Sequence, residues 1–235
     1  KGQPDADGMY TKWDGPSLFK KRSRISPNLW AMVYQQQQVH EDAVFPTDSV
    51  KGVINGARNV GLIPKGKFGC RPNGMEGLIV IAGLDPAGAG HTAAVCIGLD
   101  ISTQKRYLLD VSNRAGMKPD ELRQLIKDWT DKYKINEWRI EKNAFQLFLT
   151  QDEEINKFLS SRGIRLVQHY TGANKMDLEF GVASLAPLFG MMDHQDRFIK
   201  GSNLLELPRA DNEHIKALIE QLITWSAGTK NKQDG

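Results

Sequence analysis

Residues 78–100 read LIVIAGLDPAGAGHTAAVCIGLD, and this stretch decides between two folds. Gly88–Ala93 fits the dinucleotide-binding pattern G-x-G-x-x-G/A, in which a helix N-terminus directly after the glycines holds a pyrophosphate. After these glycines, however, Val95, Ile97 and Leu99 alternate at period two, which is typical of a strand. The sequence therefore predicts two antiparallel strands joined by a turn at Pro86–His91. The P-loop pattern G-x-x-x-x-G-K-[ST] occurs nowhere in the chain.

The composition excludes several classes of protein. The 235 residues, of which 40% are hydrophobic and 25% charged, are enough to bury one sizeable core. No apolar run reaches the ~18 residues of a membrane span, and the first residues do not resemble a signal peptide. Cys70 and Cys96, with no CxxC motif, indicate neither a disulfide framework nor a zinc site, so we expect a reduced, cytoplasmic setting. The net charge of +3 is too small to indicate nucleic-acid binding by itself.

The order of the elements predicts an α/β sheet. Regular structure is expected from Met75 onward, with a hairpin at 197–207 and a last helix capped by Asp211. The predicted strands and the other predicted helices are, in turn, strands 77–85, 92–99, 105–111, 137–141 and 164–170, and helices 119–133, 143–162 and 174–189. Three antiparallel strands followed by alternating helices and strands are typical of the ribonuclease H-like fold, a mixed five-stranded sheet flanked by helices. We predict this fold for residues 76–235 and an irregular segment for residues 1–75.

Two carboxylate residues are each the last residue of a predicted strand. Asp85 ends the first strand directly before Pro86, and Glu141 ends the fourth strand directly before a predicted helix. If these strands are neighbours, the two acids repel each other unless a proton or a cation joins them. Mg²⁺ and Mn²⁺ prefer such oxygen ligands. Either acid alone is better explained as an ordinary strand-end residue, but the pair in this element order favours a metal site.

Four segments together resemble a known family. They are GLDPAGAGHTAAV, WRIEKNAF, NKMDLEFGVASLAPLF and ALIEQLITWSAGTKNKQD, and their order and spacing are similar to those of the nuclease domain of large terminase subunits from tailed bacteriophages. Upstream, WAMVYQQQQVHEDAVFPTDSV resembles the segment that joins the packaging ATPase of these proteins to the nuclease. The resemblance implies that residues 1–75 are an extension following an ATPase domain absent from this chain, and that residues 76–235 are the nuclease domain.

The same resemblance implies an activity. The family's endonucleases cut double-stranded concatemeric DNA during capsid packaging, with Mg²⁺ or Mn²⁺ as cofactor and two ions expected. The catalytic acids and metal ligands would fall on Asp85, Glu141 and Asp234, although many relatives have paired acids where this chain has Lys232, Gln233 and Asp234. The implied partners are the portal, the small terminase subunit and an oligomeric motor, in the host cytoplasm. We expect the isolated domain to be a monomer.

Four lysines are candidate contacts to DNA phosphates, although each alone is better explained as a solvated side chain. They are Lys142, Lys175, Lys230 and Lys232. Two alternative functions remain open from the sequence. One is another ribonuclease H-like DNA enzyme, such as a transposase or a junction resolvase. The other is a non-catalytic module that grips DNA within a packaging motor.

Overall fold

The computed structural model describes residue 21 and residues 44–64, 77–86, 90–141, 152–169, 181–193 and 197–225. The chain divides into two compact units. One unit comprises residues 54–172 and 205–220; it contains the sheet and is called the sheet unit below. The second unit comprises residues 1–53, 173–204 and 221–235.

A mixed six-stranded sheet forms the centre of the sheet unit, with the strand order β5-β4-β1-β2-β3-β6. β1 pairs antiparallel with β2, and β2 with β3, whereas β1–β4, β4–β5 and β3–β6 are parallel pairs. The strands are β1 Leu78–Asp85, β2 His91–Asp100, β3 Arg106–Ala115, β4 Glu137–Glu141, β5 Arg165–His169 and β6 Leu205–Glu206. The five predicted strands are confirmed, and the two-residue β6 adds a sixth.

The β1–β2 pair answers the question posed by the glycine run. In the antiparallel register Asp85 lies opposite Ala93, and the chain from His91 onward is a strand of ten residues. Gly90 leads into it with a φ of 115°, a backbone conformation that glycine adopts without a steric penalty. Because a strand and not a helix follows Gly90, no helix N-terminus is available there for a pyrophosphate.

The helices within the described residues are α1 Thr47–Gly52, α2 Pro119–Tyr133, α3 Glu153–Ser160 and α4 Glu213–Thr224, with a 3₁₀ helix at Val182–Phe189. α2 begins with Pro119 at its first turn, and the Glu121 carboxylate accepts a hydrogen bond from the Lys118 N–H at 2.8 Å. α3 is capped by Asp152, whose Oδ1 accepts the N–H groups of Glu154 and Ile155, each at 3.1 Å. None of the helices in these ranges has both the length and the apolar character that a membrane crossing requires.

α2 and α3 cover one face of the sheet. The alternating residues of β1, from Leu78 to Leu84, are buried with Trp138 and Ile140 of β4. The apolar stripe of α2 and two residues of α3 complete this core, namely Leu122, Leu125, Ile126, Trp129, Tyr133, Ile155 and Leu159. The opposite residues of β1, among them Asp85, are only half-buried. The sheet therefore has one face fixed by packing and one that is more open to solvent.

Four predicted elements differ from the structure. In the described part of the predicted helix 143–162, Asp152 has an extended backbone and caps a helix that begins only at Glu153. The predicted hairpin at 197–207 is wrong, because Leu205–Glu206 pairs with β3 and Phe198 makes only an isolated bridge to Met192. In 174–189 the described part, from residue 181, holds a 3₁₀ helix with Pro187 inside it. The side chain that accepts hydrogen bonds at the start of α4 belongs to Asn212, not to Asp211: Asn212 Oδ1 lies 2.8 Å from the His214 N–H.

Candidate active site

Asp85 and Glu141 lie side by side at the end of two parallel strands. The β1–β4 register pairs Leu84 with Ile140, and each strand continues by one residue to its acid. Neighbouring strands are ~4.8 Å apart, so the two backbones bring the acids together. Both acids are half-buried, and both alternate with buried residues that face α2, so they project from the opposite, more open face.

A row of residues crosses the sheet at this level. The registers pair Asp85 with Ala93, Ala93 with Asn113, and Glu141 with His169. The row therefore runs from His169 on β5 through the two acids to Asn113 on β3. Its member on β2 is Ala93, which is exposed and has a small side chain.

His91 belongs to the same end of the sheet. Its Nδ1 lies 3.1 Å from the side-chain oxygen of Asn113, and the histidine is exposed at the first position of β2. If Nδ1 carries the proton, it donates to Asn113 and leaves Nε2 as an acceptor. A hydrogen-bonded imidazole with one ring nitrogen facing solvent can contact water or phosphate near the acids.

A second charged group lies on the same face of β4 and β5. Glu137 is 4% exposed, and its two carboxylate oxygens pair with Arg139 Nε at 2.7 Å and with Arg165 Nη2 at 2.5 Å. The arginines are much more exposed, with 53% and 77% of their side chains accessible. The buried carboxylate is thus compensated by two guanidinium groups that still face solvent.

Neither Cys96 nor Tyr133, which lie on the packed side of the sheet, is a candidate nucleophile. Burial, with a contribution from Asp110, raises the pKa of the Cys96 thiol well above its ordinary value. Burial also raises the pKa of Tyr133, whose hydroxyl donates to Asp110 Oδ2 at 2.5 Å. Both groups are therefore neutral near pH 7, and a neutral thiol is a poor nucleophile. The carboxylates on the open face are the better candidates for catalysis.

The donor set at the strand ends suits a hard divalent cation. Two carboxylates on adjacent strands supply the oxygen ligands that Mg²⁺ and Mn²⁺ prefer. Within the described residues there is no group of three His, Cys, Asp or Glu side chains placed to hold a metal ion. Asp85 and Glu141 thus fit two ligands of such a site, and a complete site needs ligands from elsewhere.

The other predicted site residues lie outside the described residues. These are Asp234 and the four lysines Lys142, Lys175, Lys230 and Lys232. Arg139, Arg165 and His169 lie on the same face as the acids and were not among the site residues predicted from the sequence. The period-two pattern of EWRIE could have placed Arg139 on the face of Glu141, because Trp138 and Ile140 mark the buried side. No local pattern indicates that β5 lies beside β4.

A family model described as Terminase RNaseH-like domain matches residues 82–200. The matched range includes both acids and both arginines, and it extends from Ala82 in β1 beyond the end of β5. No curated protein matches the chain.

Three terminases are among the solved structures that are similar to this chain. The large terminase from a thermophilic bacteriophage has a TM-score of 0.56 and 9% identity, over 94% of this chain and 46% of that one. The large terminase nuclease from the thermophilic phage G20c gives 0.42 and 13%, over 79% and 82% of the two chains. The human cytomegalovirus terminase nuclease domain, soaked with Mn and inhibitor-bound, gives 0.48 and 13%, over 80% and 88%. The first similarity confirms the predicted ribonuclease H-like fold, and this chain spans less than half the length of that large terminase.

Proposed function

Because the chain belongs to the family of terminase RNaseH-like domains, we propose that it is a divalent-metal-dependent endonuclease that cuts double-stranded concatemeric viral DNA during genome packaging. The observation that carries the proposal is the placement of Asp85 and Glu141, one residue beyond the paired Leu84 and Ile140 on adjacent parallel strands. Two like charges held at neighbouring strand ends suit a divalent cation and, through it, a phosphodiester.

Asp85 and Glu141 would hold Mg²⁺ or Mn²⁺, two ions in our proposal, with Asp234 as a further ligand. When bound, such ions supply an activated water for in-line attack and stabilise the charge on the leaving oxygen. The chain itself holds the two acids in place, because the buried Leu84 and Ile140 directly precede them and fix the ends of both strands. His91 and His169 flank the acids and are placed to contact substrate or water.

Membership of the family supports a proposal for the wider assembly. We propose that residues 1–75 lead from a packaging ATPase domain to the nuclease domain at 76–235. Lys142, Lys175, Lys230 and Lys232 are proposed contacts to DNA phosphates. The proposed partners are the portal, the small terminase subunit and an oligomeric motor in the host cytoplasm, with the isolated domain a monomer.

A plasmid-cleavage assay tests the activity. Wild-type protein is incubated with supercoiled plasmid in Mg²⁺, Mn²⁺ or EDTA, beside the variants Asp85→Asn, Glu141→Gln and Asp234→Asn. We expect metal-dependent cleavage. The cleavage rate should fall by at least about 100-fold in Asp85→Asn and Glu141→Gln, since mutating even residues that only support a metal ligand commonly lowers metal affinity or activity 10–100-fold. Calorimetric Mn²⁺ titration should show weakened binding in the same variants.

The matched control is Asp128→Asn, an exposed carboxylate on α2, which covers the opposite face of the sheet. It should cleave at the wild-type rate. Full activity of Asp85→Asn would contradict the assignment of the site. Joining of DNA ends instead of hydrolysis would favour a transposase-like enzyme, and metal-independent binding without cleavage would favour a gripping module.

A further inference from the structure

Glu137, Arg139 and Arg165 form a charged cluster, which we call the arginine pair with its buried carboxylate. Arg139 lies two residues before Glu141 on the same face of β4, and Arg165 lies opposite Glu137 in the β4–β5 register. The cluster therefore shares the open face of the sheet with the two candidate catalytic acids.

Glu137 orients both guanidinium groups. Its side chain is 5% exposed; one of its oxygens accepts a hydrogen bond from Arg139 Nε, and the other forms an ion pair with Arg165 Nη2. A guanidinium has five N–H donors in a planar fork, so one bond to Glu137 fixes its position and leaves other donors for a ligand. The three formal charges sum to +1, so the cluster stays attractive to an anion.

The two arginines lie close to the acids along the strand direction. With a rise of about 3.3 Å per residue, Arg139 lies roughly 7 Å from Glu141 and Arg165 roughly 13 Å from the level of the acids. Both arginines therefore lie close enough to the acids for their guanidinium groups to reach phosphates next to the phosphodiester that the acids would face.

We propose that Arg139 and Arg165 bind the phosphate backbone of the DNA beside the cleavage site, held in place by Glu137. This inference rests on the proposed nuclease function. The acids alone repel a polyanion, whereas the arginine pair attracts one on the same face of the sheet. Contacts of the arginines to phosphates would set the position of the DNA strand without contacts to its bases. Binding through these residues is therefore independent of base sequence.

Salt-dependent binding of a labelled duplex of about 30 base pairs, measured by fluorescence anisotropy in EDTA, tests the proposal without cleavage. The variants are Arg139→Ala, Arg165→Ala and the double variant. Each phosphate contact contributes about 0.9 to the slope of log K against log salt, so the double variant should lose about 1.8 from the slope. Two duplexes of unrelated sequence should show the same change, and Arg→Lys variants should recover part of it.

Arg209→Ala is the matched control, because Arg209 is also half-exposed and paired with an acid, Asp211, at 2.8 Å. It should keep the wild-type slope. If the arginine pair only ties β5 to β4, the double variant will lose thermal stability but keep its slope and affinity, which overturns the proposal. Should the double variant not fold, Arg165→Ala decides by the same slope.

Failure of this inference differs from failure of the proposed function. A wild-type protein that cleaves plasmid while the arginine variants bind DNA normally contradicts the inference alone. A wild-type protein that neither binds nor cleaves DNA contradicts both.

Discussion

The two faces of β4 have opposite roles in the molecule. On one side Trp138 and Ile140 are fully buried against α2 and the rest of the core. On the other side Glu137, Arg139 and Glu141 form a line of alternating charge. The packing of one face is enough to hold a strand of five residues in the sheet. The other face can therefore carry charged side chains that serve binding or catalysis and contribute little to stability.

Trp138→Ala should break the packed face and have the largest effect on stability. The indole is 0% exposed, donates to Thr130 Oγ1 at 2.9 Å and stacks near Trp129, with ring centroids 6.3 Å apart. We expect the free energy of unfolding to fall by about 3–5 kcal/mol, measured by urea denaturation. Glu141→Gln, three residues away on the charged face, should change it by less than about 1 kcal/mol. Equal losses in both variants would show that the two faces are not separable.

Asp152→Ala sharpens the comparison by testing a carboxylate that does contribute to stability. Asp152 caps α3 through two N–H groups at 3.1 Å, and its Oδ2 lies 2.6 Å from Arg123 Nε. Loss of the cap should lower the free energy of unfolding by about 1–2 kcal/mol. Glu153→Gln, an exposed carboxylate next to it, is the control and should change the value by under about 0.5 kcal/mol. Cleavage per folded molecule should stay normal in both variants.

Acidification should have the smallest effect on the free energy of unfolding. It also distinguishes carboxylates that stabilise the fold from those proposed for catalysis. Burial opposes ionisation of Asp152, but the N–H of Ile155 and the Arg123 guanidinium outweigh it, and its pKa lies below the ordinary 3.8. Burial likewise opposes ionisation of Glu206, but Arg58, Asn55 and Lys105 outweigh it and lower its pKa below the ordinary 4.5. Their stabilisation is complete above the unfolded-state pKa values and is lost as the pH falls through the lower folded values.

The measurement is urea denaturation between about pH 7 and pH 3. Wild-type stability should begin to fall near about pH 4–5, where the carboxylates of the unfolded chain start to bind protons. The double variant Asp152→Asn and Glu206→Gln should be less stable at neutral pH and show a flatter decline. An unchanged pH profile in that variant would mean that other groups control acid unfolding.

Much of the fold was predictable because its signals are local. The alternation of Val95, Ile97 and Leu99 marks β2 against the helix that a dinucleotide site needs, and Pro119 with Glu121 marks the start of α2. Asp85 was recognisable because Pro86 follows it at the end of an apolar run. Elements that depend on distant partners were missed: Leu205–Glu206 is a strand only because β3 lies beside it.

By itself, the sequence determined most of the elements, the period-two faces and the two strand-end acids, since these depend on residues within a few positions of each other. Only the tertiary structure decided which strands are neighbours. The parallel β1–β4 pairing brings Asp85 to Glu141, and the β4–β5 pairing brings His169 beside Glu141 and Arg165 beside Glu137. Parallel neighbours are joined by long crossovers and not by a tight turn, so no local signal in the sequence says which strands will lie side by side.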